Sequence, residues 1–271
     1  MKQSMFFFTS LLLAGFFFLC TNCQTELIAG PSYRTQLAEV PVADSLLHRI
    51  QDKINDAFVQ DFMQKKKVAL TELEAQLSEQ YQNSRQNLYL YWKAYLKYYE
   101  AILHIQNGDA SASETAVLAG IKDLENISQK NDEDYALLAL MQSFSIQFVS
   151  AFKAATRSGK VKKNAQKSLD LQPQNIRAAY VLASSDYYTP EAYGGGKKTE
   201  EYLRMALEMP DQVNPNPYLP SWGREEAYLL LVKHFMKKEQ WAQAKEAFGE
   251  AYETFPNSYQ INELGAKLAS K

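Results

Sequence analysis

Apolar residues recur at intervals of three and four positions along almost the whole chain after residue 41. In the clearest run, Leu88, Trp92, Tyr95, Tyr99 and Ile102 fall on one face of a helix. The alternation of apolar and polar residues that is typical of a half-buried strand never persists beyond four positions. The pattern therefore predicts an all-α protein with about ten to eleven helices joined by short turns.

A repeat is visible within this helical pattern near the end of the chain. Its large and small positions are Tyr228, Leu231, Phe235, Trp241, Ala244, Phe248, Ala251 and Pro256. They match the spacing of the tetratricopeptide-repeat (TPR) unit of about 34 residues. The segment resembles that family, and the resemblance implies a TPR-like solenoid, a right-handed stack of antiparallel helix pairs.

A second copy of the repeat carries extra residues between its two helices. The segment "KSLDLQPQN" leads into "IRAAYVLASSDYY", and the partner helix follows as "TEEYLRMALEMP". This copy is about four residues longer than the last one, and we place the insertion at 189–196. We expect TPR-like repeats over 158–271 and degenerate repeats over 41–157. The phrases "YYTPEAYGGGKK" and "LPSWGREEAYLLL" also resemble a group of exported bacterial TPR-like proteins, a resemblance that implies no activity.

The N-terminus has the composition of a secretory signal. Lys2 precedes an apolar run over 6–20, which is shorter than the roughly 20 residues that a membrane-spanning helix needs. The residues that follow predict cleavage before Gln24, so that 1–23 is a signal peptide and 24–40 a tether. We therefore expect an exported protein, either periplasmic or secreted.

The two cysteines leave an alternative open. Both would be lost with the signal peptide, and the mature chain would then contain no thiol. The alternative is a lipoprotein anchored through Cys20 or Cys23. Neither cysteine follows a small residue, as that pattern requires, because Leu19 and Asn22 precede them.

Composition excludes several classes of function. Lys and Arg total 29 against 31 Asp and Glu, and this net charge of −2 argues against a nucleic-acid-binding protein. The three histidines, His48, His104 and His234, lie far apart and lack the spacing of metal ligands. We expect no metal, no cofactor and no catalytic residue.

The insertion contains a glycine-lysine run that invites comparison with a phosphate loop. Gly194, Gly195 and Gly196 precede Lys197 and Lys198. A phosphate loop aligned on Lys197 would need a glycine at position 191 and a hydroxyl at position 198, and the chain has neither. A weaker alternative is that free N–H groups at the helix start after Gly196, together with the two lysines, hold an anion.

Aromatic residues gather on both sides of this insertion. Tyr187, Tyr188, Tyr193 and Trp222 lie on or beside connecting segments, where fewer helices are available to cover them. We therefore assign them, together with 194–198, to a candidate recognition surface. The stripe that contains Trp92, in contrast, is expected to be core between helices.

A basic stretch precedes the second repeat. It consists of Arg157, Lys160, Lys162, Lys163 and Lys167 around Ser158-Gly159. The ordinary interpretation is a solvated turn and helix face. The alternatives are a surface for an acidic partner or for an anionic membrane.

These features predict a non-enzymatic exported protein that binds a protein or peptide partner in the periplasm or at the cell envelope. A solenoid presents an elongated concave face on which each unit adds contacts. Two alternatives remain open. One is a small-ligand-binding protein, anion-binding protein or enzyme on a helical scaffold, with its site around 187–222. The other is a purely structural role in the envelope.

Overall fold

The computed structural model describes residues 44–212, 215–269 and 271. Within them the chain forms eleven α-helices and no strand, which confirms the all-α prediction. The helices are α1 (Ile50–Gln64), α2 (Ala69–Ser84), α3 (Asn87–Gln106), α4 (Ala110–Glu125), α5 (Asp132–Phe144), α6 (Ala151–Leu171), α7 (Ile176–Tyr188), α8 (Thr199–Glu208), α9 (Arg224–Lys237), α10 (Trp241–Thr254) and α11 (Tyr259–Leu268). Short 3₁₀ turns occupy Ser145–Phe148 and Glu191–Tyr193. The predicted signal peptide and tether lie outside the described residues.

The helices are arranged as successive antiparallel pairs. Each odd-numbered helix packs against the even-numbered helix that follows it, and also against the next odd-numbered helix. No comparable contacts join the even-numbered helices to one another in the described part of the chain. The stack is therefore curved, with the odd-numbered helices on its concave side and the even-numbered helices on its convex side.

Contacts between the helix ends show that the odd-numbered helices run parallel. Near the C-terminal ends of α3 and α5, the rings of Tyr98 and Phe144 lie 5.5 Å apart. At the N-terminal ends of α5 and α7, the Asn175 amide donates to Asp132 Oδ2 at 2.8 Å. All turns from an odd-numbered to an even-numbered helix therefore lie along one edge of the stack. We call this the forward edge; it comprises the turns 65–68, 107–109, 145–150, 189–198 and 238–240 with the helix ends beside them.

Small residues allow close packing in the last complete pair. Ala244 and Ala251 on α10 are fully buried, as expected from the repeat spacing. The N-cap of α4 is Asp109, whose side chain accepts the Ala112 N–H at 2.9 Å. The expected domain boundary at 157/158 falls inside α6, so no turn interrupts the basic stretch there.

The connector between α8 and α9 runs back to the first half of the stack. The Trp92 indole N–H donates to the Tyr218 carbonyl oxygen at 3.0 Å, and the Arg49 N–H donates to the Pro217 carbonyl oxygen at 2.9 Å. The connector is held at its base by Arg177, which is buried and forms an ion pair with the buried Glu133. These contacts join the two halves of the stack across long sequence separations.

None of the described helices combines the length and the apolar character that crossing a bilayer requires.

Candidate functional site on the concave surface

The predicted insertion forms a compact loop between α7 and α8. A Cβ atom on Gly195 would lie 1.9 Å from the Thr189 carbonyl oxygen, so only glycine fits at this position. Gly194 and Gly196 have φ angles of 85° and 76°, in the left-handed region that favours glycine. All three glycines are therefore required by the shape of the loop. Lys197 and Lys198 are exposed at its end, on the forward edge.

An internal carboxylate occupies the place expected for an anion. The Lys198 N–H donates to Asp186 Oδ2 at 2.9 Å, and the Thr199 hydroxyl donates to the same oxygen at 2.8 Å. The Gly196 N–H donates to the Asp186 carbonyl oxygen at 2.9 Å. Because Asp186 already accepts these hydrogen bonds, the anion-binding hypothesis is wrong for this helix start.

Trp222 does not belong to a recognition surface. Its side chain lies in the core, where the indole N–H donates to the Tyr91 hydroxyl oxygen at 2.9 Å. Its ring stacks on that of Tyr95, with centroids 6.2 Å apart. The assignment of Trp222 to the candidate site is wrong, because the connector carries this residue back against α3.

The three tyrosines around the insertion point in different directions. Tyr193 is 77% exposed on the 3₁₀ turn of the loop. Tyr187 is half-buried, and the Lys237 ammonium lies 5.1 Å from its ring centroid, which is a cation–π distance. Tyr188 is 68% exposed, and its phenolate form would raise the pKa of Tyr98 on α3. Of the three tyrosines predicted around the insertion, we therefore assign Tyr188 to the concave surface.

A group of tyrosines from α3 and α7 lines this concave surface. We call it the tyrosine cluster; it contains Tyr98, Tyr99, Tyr180 and Tyr188. Beneath it, the hydroxyl oxygen of the buried Tyr95 lies 3.3 Å from that of Tyr99. The ring of Tyr99 also lies 5.2 Å from that of Phe58 on α1. Both helices that contribute to the cluster are odd-numbered, and the odd-numbered helices form the concave side of the stack.

The negative charge of Glu226, on α9, raises the pKa of three tyrosines of the cluster, Tyr98, Tyr99 and Tyr180. One of its oxygens accepts the Gly223 N–H at 2.7 Å, which caps α9. Burial raises the pKa of Glu226. Burial also raises the pKa of Tyr98 and Tyr99, and the negative charge of Glu226 raises both further. The hydroxyls are therefore protonated at neutral pH and available as hydrogen-bond donors.

The described residues contain no group of three or more His, Cys, Asp or Glu side chains that could hold a metal ion. Two members of the tyrosine cluster, Tyr98 and Tyr180, were not singled out by sequence reasoning. Tyr98 precedes the apolar stripe residue Tyr99, and Tyr180 lies within the helix that the second repeat predicted. Their sequence signal is weak, because each is a single tyrosine in a helix that is already rich in large residues.

Comparisons with known proteins bear on the fold. No family model matches the chain, and no curated protein matches it significantly. Among solved structures, a thermophilic TPR protein from Thermus thermophilus has a similar fold, with a TM-score of 0.53 and 14% sequence identity. The match covers 81% of this chain and 97% of that one.

The fold is TPR-like. The structural match agrees with the repeat read from α9 and α10 and with the stacking of helix pairs over the rest of the described chain. In this TPR-like stack, the odd-numbered helices carry the tyrosine cluster and the long connector closes against α1 and α3. At this identity the likeness describes the fold, and function has to be argued from the surface itself.

Proposed function

We propose that this is an exported, non-enzymatic protein that binds a protein or peptide partner on the concave surface, at the tyrosine cluster. The observation that carries the proposal is the grouping of half-buried and exposed tyrosines from α3 and α7, close enough to the Glu226 charge for it to raise their pKa values.

Tyrosine is suited to this role. Its ring offers a large contact area and has few rotatable bonds, so little side-chain entropy is lost on binding, and its hydroxyl can donate to a backbone carbonyl. Residues that contribute most to protein interfaces are enriched in tyrosine and cluster near the interface centre. Tyr98, Tyr99 and Tyr180 are half-buried, so their positions are set before a partner arrives.

The raised pKa values of the cluster count against one enzymatic alternative, in which a tyrosine of the cluster is the nucleophile or general base. A tyrosine that acts as a nucleophile or general base must lose its proton, and the raised pKa values of Tyr98 and Tyr180 oppose this. A protein-binding surface needs no such step.

The experiment compares partner capture by variants of the cluster. Tyr188→Ala removes an exposed ring, and Tyr98→Phe removes only a hydroxyl, so both should fold. Tyr259→Ala is the matched control, because Tyr259 is 80% exposed at the start of α11 and lies away from the cluster. Proteins captured from cell-envelope extract are quantified by mass spectrometry, and folding is checked by circular dichroism.

A specific partner should be retained by the wild type and by Tyr259→Ala, and weakened at least tenfold by Tyr188→Ala. Equal capture by all variants would contradict a role for the tyrosine cluster.

Export is proposed from the residues at the N-terminus, which lie outside the described part of the chain. Sequencing the N-terminus of the native protein tests it. We expect a mature chain that begins near Gln24. A blocked, lipid-modified cysteine would indicate the lipoprotein alternative, and an intact Met1 on a cytoplasmic pool would contradict export.

A further inference from the structure

The forward edge carries the most exposed apolar side chains of the described structure. Three of the four most exposed large hydrophobic residues lie there: Phe152 at 86%, Tyr193 at 77% and Met63 at 75%. They belong to three different odd-to-even turns or their flanking helix ends. Single exposed apolar side chains are common on protein surfaces, so the charged residues beside these three decide what they could contact.

Lysines accompany each of these side chains. Lys65 and Lys66 follow Met63, Lys153 follows Phe152, and Lys197 and Lys198 follow Tyr193. All five lysines are exposed, and none forms an ion pair with a carboxylate in the described residues. Their ammonium groups are therefore available to an external anion.

The forward edge also carries carboxylates. Asp109 is the N-cap of α4, and Glu191 and Glu239 are exposed on the turns 189–198 and 238–240. The first turns of α2 and α8 add Glu72, Glu200 and Glu201. No acidic residue occurs within 62–68 or within 150–157, the segments that contain Met63 and Phe152. These two segments are therefore the most basic part of the edge.

The turn between α1 and α2 is held rigidly. Asp61 is fully buried, and its carboxylate accepts the N–H groups of Val68, Ala69 and Leu70, each at 3.0 Å. These three bonds close the turn and fix the segment 62–68, all of which is exposed. The apolar and basic side chains of this turn are presented by a fixed backbone, which lowers the entropy lost on binding.

We propose that the forward edge binds the surface of an anionic phospholipid membrane. Aromatic and apolar side chains insert at the boundary between headgroups and acyl chains, while lysines beside them pair with lipid phosphates. The apolar residues are spread along the edge and not gathered around a cavity, so an extended surface can contact them together. Tyr188 of the tyrosine cluster ends α7 beside the turn 189–198, so the variants used to test membrane binding leave every residue of the cluster unchanged.

The test measures vesicle binding by the processed protein. Vesicles contain phosphatidylcholine alone or with one third phosphatidylglycerol, and binding is followed by co-sedimentation at low and at physiological salt. Every protein is used in the same processed form, so any contribution from its N-terminal segment is common to all. The basic variant carries Lys65→Glu, Lys66→Glu, Lys197→Glu and Lys198→Glu. The apolar variant carries Met63→Ser, Phe152→Ser and Tyr193→Ser.

The control variant makes two charge reversals elsewhere, Lys122→Glu and Lys245→Glu, at exposed positions of α4 and α10. It is compared with a half-variant of the basic variant that carries only Lys65→Glu and Lys66→Glu. The control and the half-variant change the net charge by the same amount. Each lysine near an anionic surface contributes about fivefold to binding. We expect the half-variant to weaken binding at least tenfold, and the control to weaken it less than threefold.

We also expect the apolar variant to lose most of the binding that persists at physiological salt. The proposal is overturned if the wild type binds anionic vesicles no better than neutral ones, or if the control and the half-variant lose binding equally. Capture of an acidic protein that depends on the same lysines, without vesicle binding, would also overturn it.

Discussion

Trp222 offers the sharpest test of how the two halves of the stack are joined. It lies in the long connector, yet its indole donates a hydrogen bond to Tyr91 and its ring stacks on Tyr95, both on α3. Replacing it should therefore destabilise the whole stack and not just the connector. We compare Trp222→Ala, which removes the ring, with Trp222→Phe, which keeps a ring but removes the donor.

The magnitude follows from burial and from the hydrogen bond. Only 4% of Trp222 is exposed, and truncation of a buried tryptophan to alanine costs about 3–5 kcal/mol. Trp222→Phe loses one hydrogen bond, worth about 0.5–1.5 kcal/mol, and part of the ring contact, so about 1–2 kcal/mol is expected. A double-mutant cycle with Tyr91→Phe should give a coupling energy of about 1 kcal/mol.

Equilibrium unfolding in urea, followed by far-ultraviolet circular dichroism, measures these differences. The free energy of unfolding should fall in the order wild type, Trp222→Phe, Trp222→Ala, with a single cooperative transition in each. A loss below 1 kcal/mol for Trp222→Ala would refute the buried position of this residue. Partner capture by Trp222→Phe should match the wild type, and a selective loss of capture at unchanged stability would restore Trp222 to the recognition surface.

Three further predictions concern packing, loop shape and pH. Ala251→Leu should lower the free energy of unfolding by about 1–3 kcal/mol, measured in urea, because Ala251 is fully buried between helices. Gly195→Ala should lower the melting temperature, since its Cβ would meet a backbone oxygen at 1.9 Å, whereas Gly159→Ala, with open space in α6, should raise it slightly. Burial raises the pKa of Asp134 from 3.8 to about 7, so this carboxyl binds its proton more tightly in the folded state than in the unfolded state. The free energy of unfolding should therefore fall as the pH rises from about 4 to 7. Urea midpoints measured across that range should vary less for Asp134→Asn than for the wild type.

Local spacing alone determined much of the fold. The recurrence of apolar residues every three or four positions predicts helices, because helical periodicity is a property of neighbouring residues. The small residues Ala244 and Ala251 likewise predicted the close pair α9–α10, since a helix can approach another only where side chains are small. The number of residues between the two helices of the second repeat predicted the insertion, and three consecutive glycines marked its position.

Only the tertiary structure decided which aromatic residues are available on the surface. Trp222 and Tyr91 are 131 positions apart, and their contact depends on the path of the connector, which no local pattern encodes. The tyrosine cluster arises in the same way, because it combines side chains of α3 and α7, which are far apart in the sequence. The Asp186 carboxylate, near the end of α7, accepts the N–H of Lys198 at the start of α8, 12 positions away. Periodicity assigns a residue to a face of its own helix. Whether that residue is buried, and which residues it contacts, depends on which distant elements cover that face.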